Sequence, residues 1–240
     1  MDIFSGVTVH QVGLSEDDPL VKGWLAAILS EPSAWRAGLD LFHKEFDEPE
    51  MLDVMGINLA RIRRRKTPPQ KELQEIMAQL DNDTLYEANP VYQNARLLVE
   101  PLGLSEADVR LLTFLTYMTK TELVRRAAEY IGARTTRMLY AVLRKILRID
   151  RVKLESMLHE DAILFRSGLV SFARGVFNTD LSEMFSLRSD FASSLSSAKP
   201  TAEELLSVFY ETCPPSILNQ EDLTVDQTDL EIISVSYTHL

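Results

Sequence analysis

Acid/base, metal or nucleophilic chemistry would fall to four histidines, His10, His43, His159 and His239, and to a lone cysteine, Cys213. The histidines lie far apart and match no zinc-ligand spacing. His43 stands near Glu45, Asp47 and Glu48, and His159 precedes Glu160 and Asp161. Consecutive acids point in different directions on a helix, so they do not converge on the imidazole, and a solvated face accounts for them. Cys213 is followed by Pro214 and Pro215, with no histidine or cation nearby to favour its thiolate. The sequence contains no G-x-S-x-G, no H-E-x-x-H and no Gly-Lys dipeptide, so it holds no Walker A loop. No catalytic, cofactor-binding or metal-binding residue is assigned.

Charge offers a stronger lead. Between Lys120 and Lys153 ten basic residues stand against three acids, in a chain whose formal charge is −11. Leu143 to Leu158 resembles the helix-turn-helix of a winged-helix unit: a helix ends at a tight turn, a second starts at a polar cap, and Gly168-Leu169-Val170 enters the wing. Arg134, Arg137, Arg148 and Arg151 are the candidate contacts to nucleic acid or to a protein partner. Two features depart from the pattern, in that Arg148 stands where the turn often has glycine and the stretch from Leu158 to Gly168 is long. The same arginines also fit the solvated face of a helical packing unit. A second basic run, Arg61 to Lys66, suits a helix C-terminus, where the dipole favours cations.

These residues must be positioned by helices. Ser15 is a candidate cap for a helix to about Leu29, with Asp17 and Asp18 near its positive end. Ser33 is placed to cap a second helix carrying Trp35, Leu39, Phe42 and Phe46 on one face. Met51 to Arg65 reads as a helix, Thr67-Pro68-Pro69 restarts the chain, and Leu73, Ile76, Met77 and Leu80 share a face until Asn82-Asp83 stops the run. Asn89-Pro90 opens a helix with Val91, Ala95 and Leu98 on one side. Ser105 and Asp108 form a capping box flanked by Leu104 and Val109 at staple spacing. Four helices follow between residues 105 and 160, the third after Thr135 and the fourth capped by Asp150. Ser167 to Gly175 reads as a turn and short strand, and helices resume over Leu181 to Leu195 and Thr201 to Thr212.

Composition sets the class. With 240 residues, 45% of them hydrophobic, the chain can bury a sizeable core in one or two folded units. One cysteine allows no internal disulfide, and neither a spanning apolar run nor a signal-peptide pattern is present. The expectation is a cytoplasmic, mainly all-α protein without membrane association: a multi-helix array with a winged-helix-like cluster and at most one short strand or hairpin.

Asn94 to Phe114, with its Leu102-Gly-Leu-Ser105 helix start, taken with Leu143 to Leu158 and Ser167-Gly-Leu-Val170, resembles the helical region that precedes the ATPase module in a group of bacterial AAA+ ATPases. The acidic stretch after Cys213 is similar to the connector ahead of their nucleotide-binding core. The likeness covers roughly residues 90 to 233. It implies a non-catalytic region that recognises a protein client, within a longer, homo-oligomeric protein that binds ATP and Mg²⁺ downstream. No ATP-binding residue carries over to this chain, and the fragment itself takes no cofactor. Ser234 to Leu240 resembles translated adapter read-through and is expected to be a non-native tail. The segments so expected are 1–66 and 67–101 (N-terminal and connecting helices), 102–175 (the winged-helix-like cluster), 176–233 (helices and acidic connector) and 234–240. The alternative function is a winged-helix DNA-binding regulator.

Overall fold

Pro19 has a fixed φ suited to a first helical turn, and the residues after it are almost all apolar, so the chain enters a helix that no side must keep in water. This is α1 (Pro19–Leu29) in the computed structural model, which describes residues 14–40, 45–46, 49–58, 68–79, 83–131, 136–172 and 180–209. Its N-cap is Asp18, whose carboxylate accepts from Leu20 N at 2.8 Å, and not Ser15, which instead closes the turn before it. The shift follows from Pro19, which belongs at a first helical position and places the cap one residue earlier.

The chain continues through α2 (Pro32–Ala37), β1 (Leu39–Asp40), β2 (Glu45–Phe46), α3 (Pro49–Val54), α4 (Gln70–Gln79), α5 (Asp83–Ala88), α6 (Pro90–Arg96) and α7 (Val99–Leu102). Then come α8 (Glu106–Lys120), α9 (Glu122–Glu129), α10 (Thr136–Leu147), α11 (Arg151–Met157) and α12 (Ile163–Arg166). The order closes with β3 (Val170–Phe172), α13 (Leu181–Met184), β4 (Phe185–Leu187), α14 (Ser189–Leu195) and α15 (Ala202–Leu206). The fold is mainly all-α, and strand structure among the described residues is limited to two short antiparallel pairs, β1 with β2 and β3 with β4. The compact unit that takes in these elements ends at Leu206, so the boundaries at 66/67, 101/102 and 175/176 fall inside it. Residues 207–240 form a second unit, of which 207–209 are described.

Several local expectations are corrected. α2 begins at Pro32 with Glu31 as N-cap in place of Ser33, and the helix predicted through Trp35, Leu39, Phe42 and Phe46 stops at Ala37. Gly38 weakens helix continuation, and Leu39 pairs with Phe46 across a strand register instead. α3 stops at Val54 rather than running toward Arg65, because Gly56 takes a left-handed φ of +70° that ends the helix. The run Arg61 to Lys66 lies outside the described residues. The run through Leu73 and Met77 ends at Gln79, ahead of Asn82-Asp83, and Asp83 itself begins α5. The helix predicted over Leu181 to Leu195 is interrupted by β4, where Phe185 and Leu187 face inward and Ser186 outward.

α1 and α8 form the centre. Every residue of α1 except Pro19 and Lys22 is buried, and α2, α4, α5, α9 and α10 pack around it. The Trp24 ring meets Phe114 and Tyr117 of α8 edge-on, at centroid distances of 5.4 and 5.3 Å. α8 starts at the Ser105–Asp108 capping box: the Ser105 hydroxyl accepts from Asp108 N at 3.3 Å, and the Asp108 carboxylate accepts from Ser105 N at 2.8 Å. From Leu111 to Met118 it is buried without a break, threonines included. Thr113 and Thr116 satisfy their hydroxyls by donating to the carbonyls of Val109 and Leu112, each at 2.8 Å, so the helix buries them at little cost.

The start of α1 is tied to α6 and α8 by one polar knot. Asn89, the N-cap of α6, and the Tyr117 hydroxyl both donate to Asp18 Oδ2, at 2.9 and 2.8 Å, and Asn89 also donates to the Tyr117 oxygen at 2.8 Å. Tyr117→Phe leaves the buried Asn89 and the carboxylate each short of a partner and is expected to lower stability by about 1–3 kcal/mol in urea denaturation. Burial first, then the nearby carboxylates, push the Tyr117 and Tyr92 hydroxyls above their ordinary value of 10.0, and burial does the same for Tyr86. A folded-state pKa raised above the unfolded one gives stability that is full below about pH 10 and declines as pH rises further. The urea midpoint should therefore hold through neutral pH and fall in alkali. It should fall less steeply in Tyr117→Phe, and equal slopes in the two proteins would contradict the assignment.

Candidate interface at the helical corner

α10 and α11 meet in the turn that the helix-turn-helix pattern predicts. Asp150 caps α11, accepting from Lys153 N at 2.8 Å. The amide of Ile149 donates to the Arg144 carbonyl at 3.3 Å, and Arg148 takes a left-handed φ of +56°. That combination is the Schellman arrangement, in which the residue just past the helix is usually glycine. Arg148 therefore takes the conformation usual for glycine, and it does so with a side chain.

The last carbonyls of α10 have no partners within their own helix and are reached from neighbouring elements. Tyr86 of α5 donates its hydroxyl to the Ile146 carbonyl at 3.1 Å, and Arg110 Nη1 of α8 lies 3.4 Å from the Leu147 carbonyl. The Tyr86 oxygen also receives Trp24 Nε1 at 3.4 Å, and the Arg110 guanidinium sits 4.8 Å over the Tyr86 ring. Arg110 Nη2 and Arg148 Nη1 both reach Asp83 Oδ1 at 3.2 Å, and Arg110 Nε contacts Glu106 at 3.1 Å. Glu106 in turn accepts from the Tyr92 hydroxyl.

The structure separates the four candidate arginines. Arg134 lies outside the described residues, and of Arg137 only its place in α10 is described. Arg148 turns toward Asp83. Arg151 is exposed on α11 and pairs with Glu155 one turn on, at 2.7 Å. Other cations of the segment are also matched: Arg125 and Arg126 by Glu122, Arg125 again by Glu129, and Lys145 by Glu31 at 2.6 Å. Lys120 donates to Ser193 at 2.6 Å, tying α8 to α14. Glu31, Asp83 and Ser193 lie far away in sequence, so a count within residues 120–153 misses them. Arg151, Val152 and Lys153 at the start of α11 are all exposed, Val152 at 76%.

The wing-like region departs from a plain hairpin. β3 pairs with β4 so that Val170 faces Leu187 and Phe172 faces Phe185, and α13 precedes β4 in the connection. Phe165, Phe172 and Phe185 stack in sequence at 5.8 and 4.8 Å. His159 Nδ1 accepts from Asp161 N of its own loop at 3.4 Å in an exposed position, and the described residues contain no group of three or more histidines, cysteines and acids able to hold a metal. His43 and Cys213 lie outside them. No described helix is long and apolar enough to cross a membrane.

A left-handed φ costs a side-chain-bearing residue about 1–2 kcal/mol, and a partly exposed ion pair returns up to about 1 kcal/mol. Arg148→Gly removes both and should leave the unfolding free energy within about 1 kcal/mol of the parent. Arg148→Val keeps the strained φ, worsens it by branching and loses the pair, so it should fall at least about 1 kcal/mol below the glycine variant in urea denaturation.

Comparison of the chain with protein-family models, with curated proteins and with solved structures finds no match.

Proposed function

We propose that this chain is a non-catalytic recognition region of a bacterial, cytoplasmic AAA+ ATPase, engaging a protein client or partner while ATP and Mg²⁺ bind in a separate module of a homo-oligomer. The family reading rests on the resemblance of Asn94 to Phe114, Leu143 to Leu158 and Ser167 to Val170. What supports a protein rather than a nucleic-acid partner is the matching of the cations: Arg125, Arg126, Lys145, Arg148 and Arg151 are all engaged by carboxylates of the same chain. Binding to duplex DNA draws much of its free energy from cations that replace counterions on phosphate, and carboxylates beside those cations lower the net positive charge that a polyanion would meet.

The second reading, a winged-helix DNA-binding regulator, draws on the Schellman turn at Arg148 and on the exposed Arg151, Val152 and Lys153 of α11. The two readings separate in a low-salt gel-shift assay with random duplex DNA. No shift is expected; a shift that weakens steeply with salt and disappears in the Arg151→Glu, Lys153→Glu variant overturns the protein-partner reading. Calorimetric titration with Mg-ATP should show no heat of binding. Reading the source locus downstream of Ile233 should reveal a Gly-x-x-x-x-Gly-Lys-Ser/Thr loop in frame, and a stop codon in its place would overturn the ATPase assignment.

A further inference from the structure

We propose that the corner between α6 and α7 is a self-association surface, on which a second copy of this chain docks in the reverse direction through Arg96, Leu97, Val99 and Glu100. Val152 aside, Leu97 and Val99 are the large hydrophobic residues that stand exposed among those described, at 40% and 37%, and they lie two positions apart. A single exposed apolar residue needs no explanation, but these two, with the exposed Pro101 beside them, form a patch. Leu98 between them is fully buried, so the segment is anchored from beneath while its neighbours stay in water. The amides of Leu97 and Leu98 donate to the carbonyls of Asn94 and Ala95, three residues back and each at 3.1 Å, and this tight turn separates α6 from α7. Asn94 is buried and donates to the carbonyls of Leu195 and Ser197, at 2.8 and 3.0 Å, which fixes the corner to the end of α14.

The charges that flank the patch select its occupant. Arg96 and Glu100 are both exposed and stand four residues apart, the spacing at which opposite charges pair on a regular helix. Here the tight turn lies between them, and neither forms an ion pair among the described residues. Arg96 acts through space on the Tyr92 hydroxyl, a neutral group. Along the surface the order is cation, Leu97, Val99, anion, with the buried Leu98 at its centre. Reversing that order leaves the apolar positions where they were and exchanges the two charges. A second copy related by a two-fold axis at Leu98 therefore sets its Glu100 against Arg96 and its Arg96 against Glu100, with the apolar side chains meeting between them. An unrelated acidic or basic segment would satisfy one of the two charges and repel the other, whereas a second copy satisfies both. The surface belongs to this chain, so the inference does not depend on the ATPase reading.

Sedimentation velocity of the full chain tests the surface. A contact built on Arg96, Leu97, Val99 and Glu100 is small, so the weight-average mass should climb from monomer toward dimer over about 5–500 µM, with half-association near about 100 µM. Arg96→Glu and Glu100→Arg each place like charges at both ends of the two-fold contact, and each should weaken association about tenfold or more. Combining them reverses both charges and restores the pairs, so the double variant should associate as the parent does. Both positions are exposed, and the urea midpoints of all three variants should match the parent. A monomer throughout that range overturns the proposal and leaves the patch to a client or to another part of the chain. Association that survives either single variant, or that the double variant does not regain, places the contact on a different face and overturns it equally. Neither result bears on whether a nucleotide-binding module lies downstream.

Discussion

α1 has almost no polar side, and most of the architecture answers to that fact. A helix with one apolar stripe can lie on a surface, but one that is apolar all round must be enclosed. Val21, Trp24, Leu25, Ile28 and Leu29 cover one side of it, Leu20, Gly23, Ala26 and Ala27 the other, and all are buried. Enclosure takes at least four neighbours, and helices from both halves of the chain supply them: α2, α4 and α5 from before residue 90, and α9 and α10 from after residue 120. The helices before residue 90 and those after residue 120 consequently share a core, and neither set can be considered without the other.

Enclosure creates a problem at the helix ends, whose free amides and carbonyls also leave water. Side chains resolve it. Asp18 and Asn89 cap α1 and α6, and the two caps bond to each other and to Tyr117. At the far end of α10, Tyr86 and Arg110 take the carbonyls of Ile146 and Leu147. Trp24 links the two regions, touching Tyr117 on one side and donating to Tyr86 on the other. The aromatic residues of the core therefore double as its polar connectors, which is how Tyr and Trp are used when their hydroxyl or N–H must be satisfied out of water.

Parts of this were legible in the sequence because their causes are local. The Ser105–Asp108 box, the Asn89 and Asp150 caps and the all-helical class depend on residues within one turn of each other. The strand at Val170 was marked by flanking glycines. What escaped depends on distant partners. Leu39 and Phe46 have helical spacing, and only their pairing across a hairpin makes them strand residues. Phe185 and Leu187 sit within a helical pattern, and Val170 and Phe172, some fifteen residues earlier, draw them into β4. The candidate interface suffered most, since charge counted along a segment cannot register Glu31 and Asp83, which lie outside it and neutralise Lys145 and Arg148.

Arg148 brings these two kinds of cause together. Glycine would fit its φ of +56° without strain, so local geometry alone favours glycine there. Arginine pays about 1 kcal/mol or more in backbone strain, and the pair with a mostly exposed carboxylate restores no more than about that amount. Stability therefore gives little reason to prefer one over the other. The difference lies in reach: glycine brings no side chain to the turn, whereas arginine adds a contact to Asp83 of α5. A residue that is nearly neutral for stability can still matter for the corner, because its side chain ties the turn to an element 65 residues earlier in the chain.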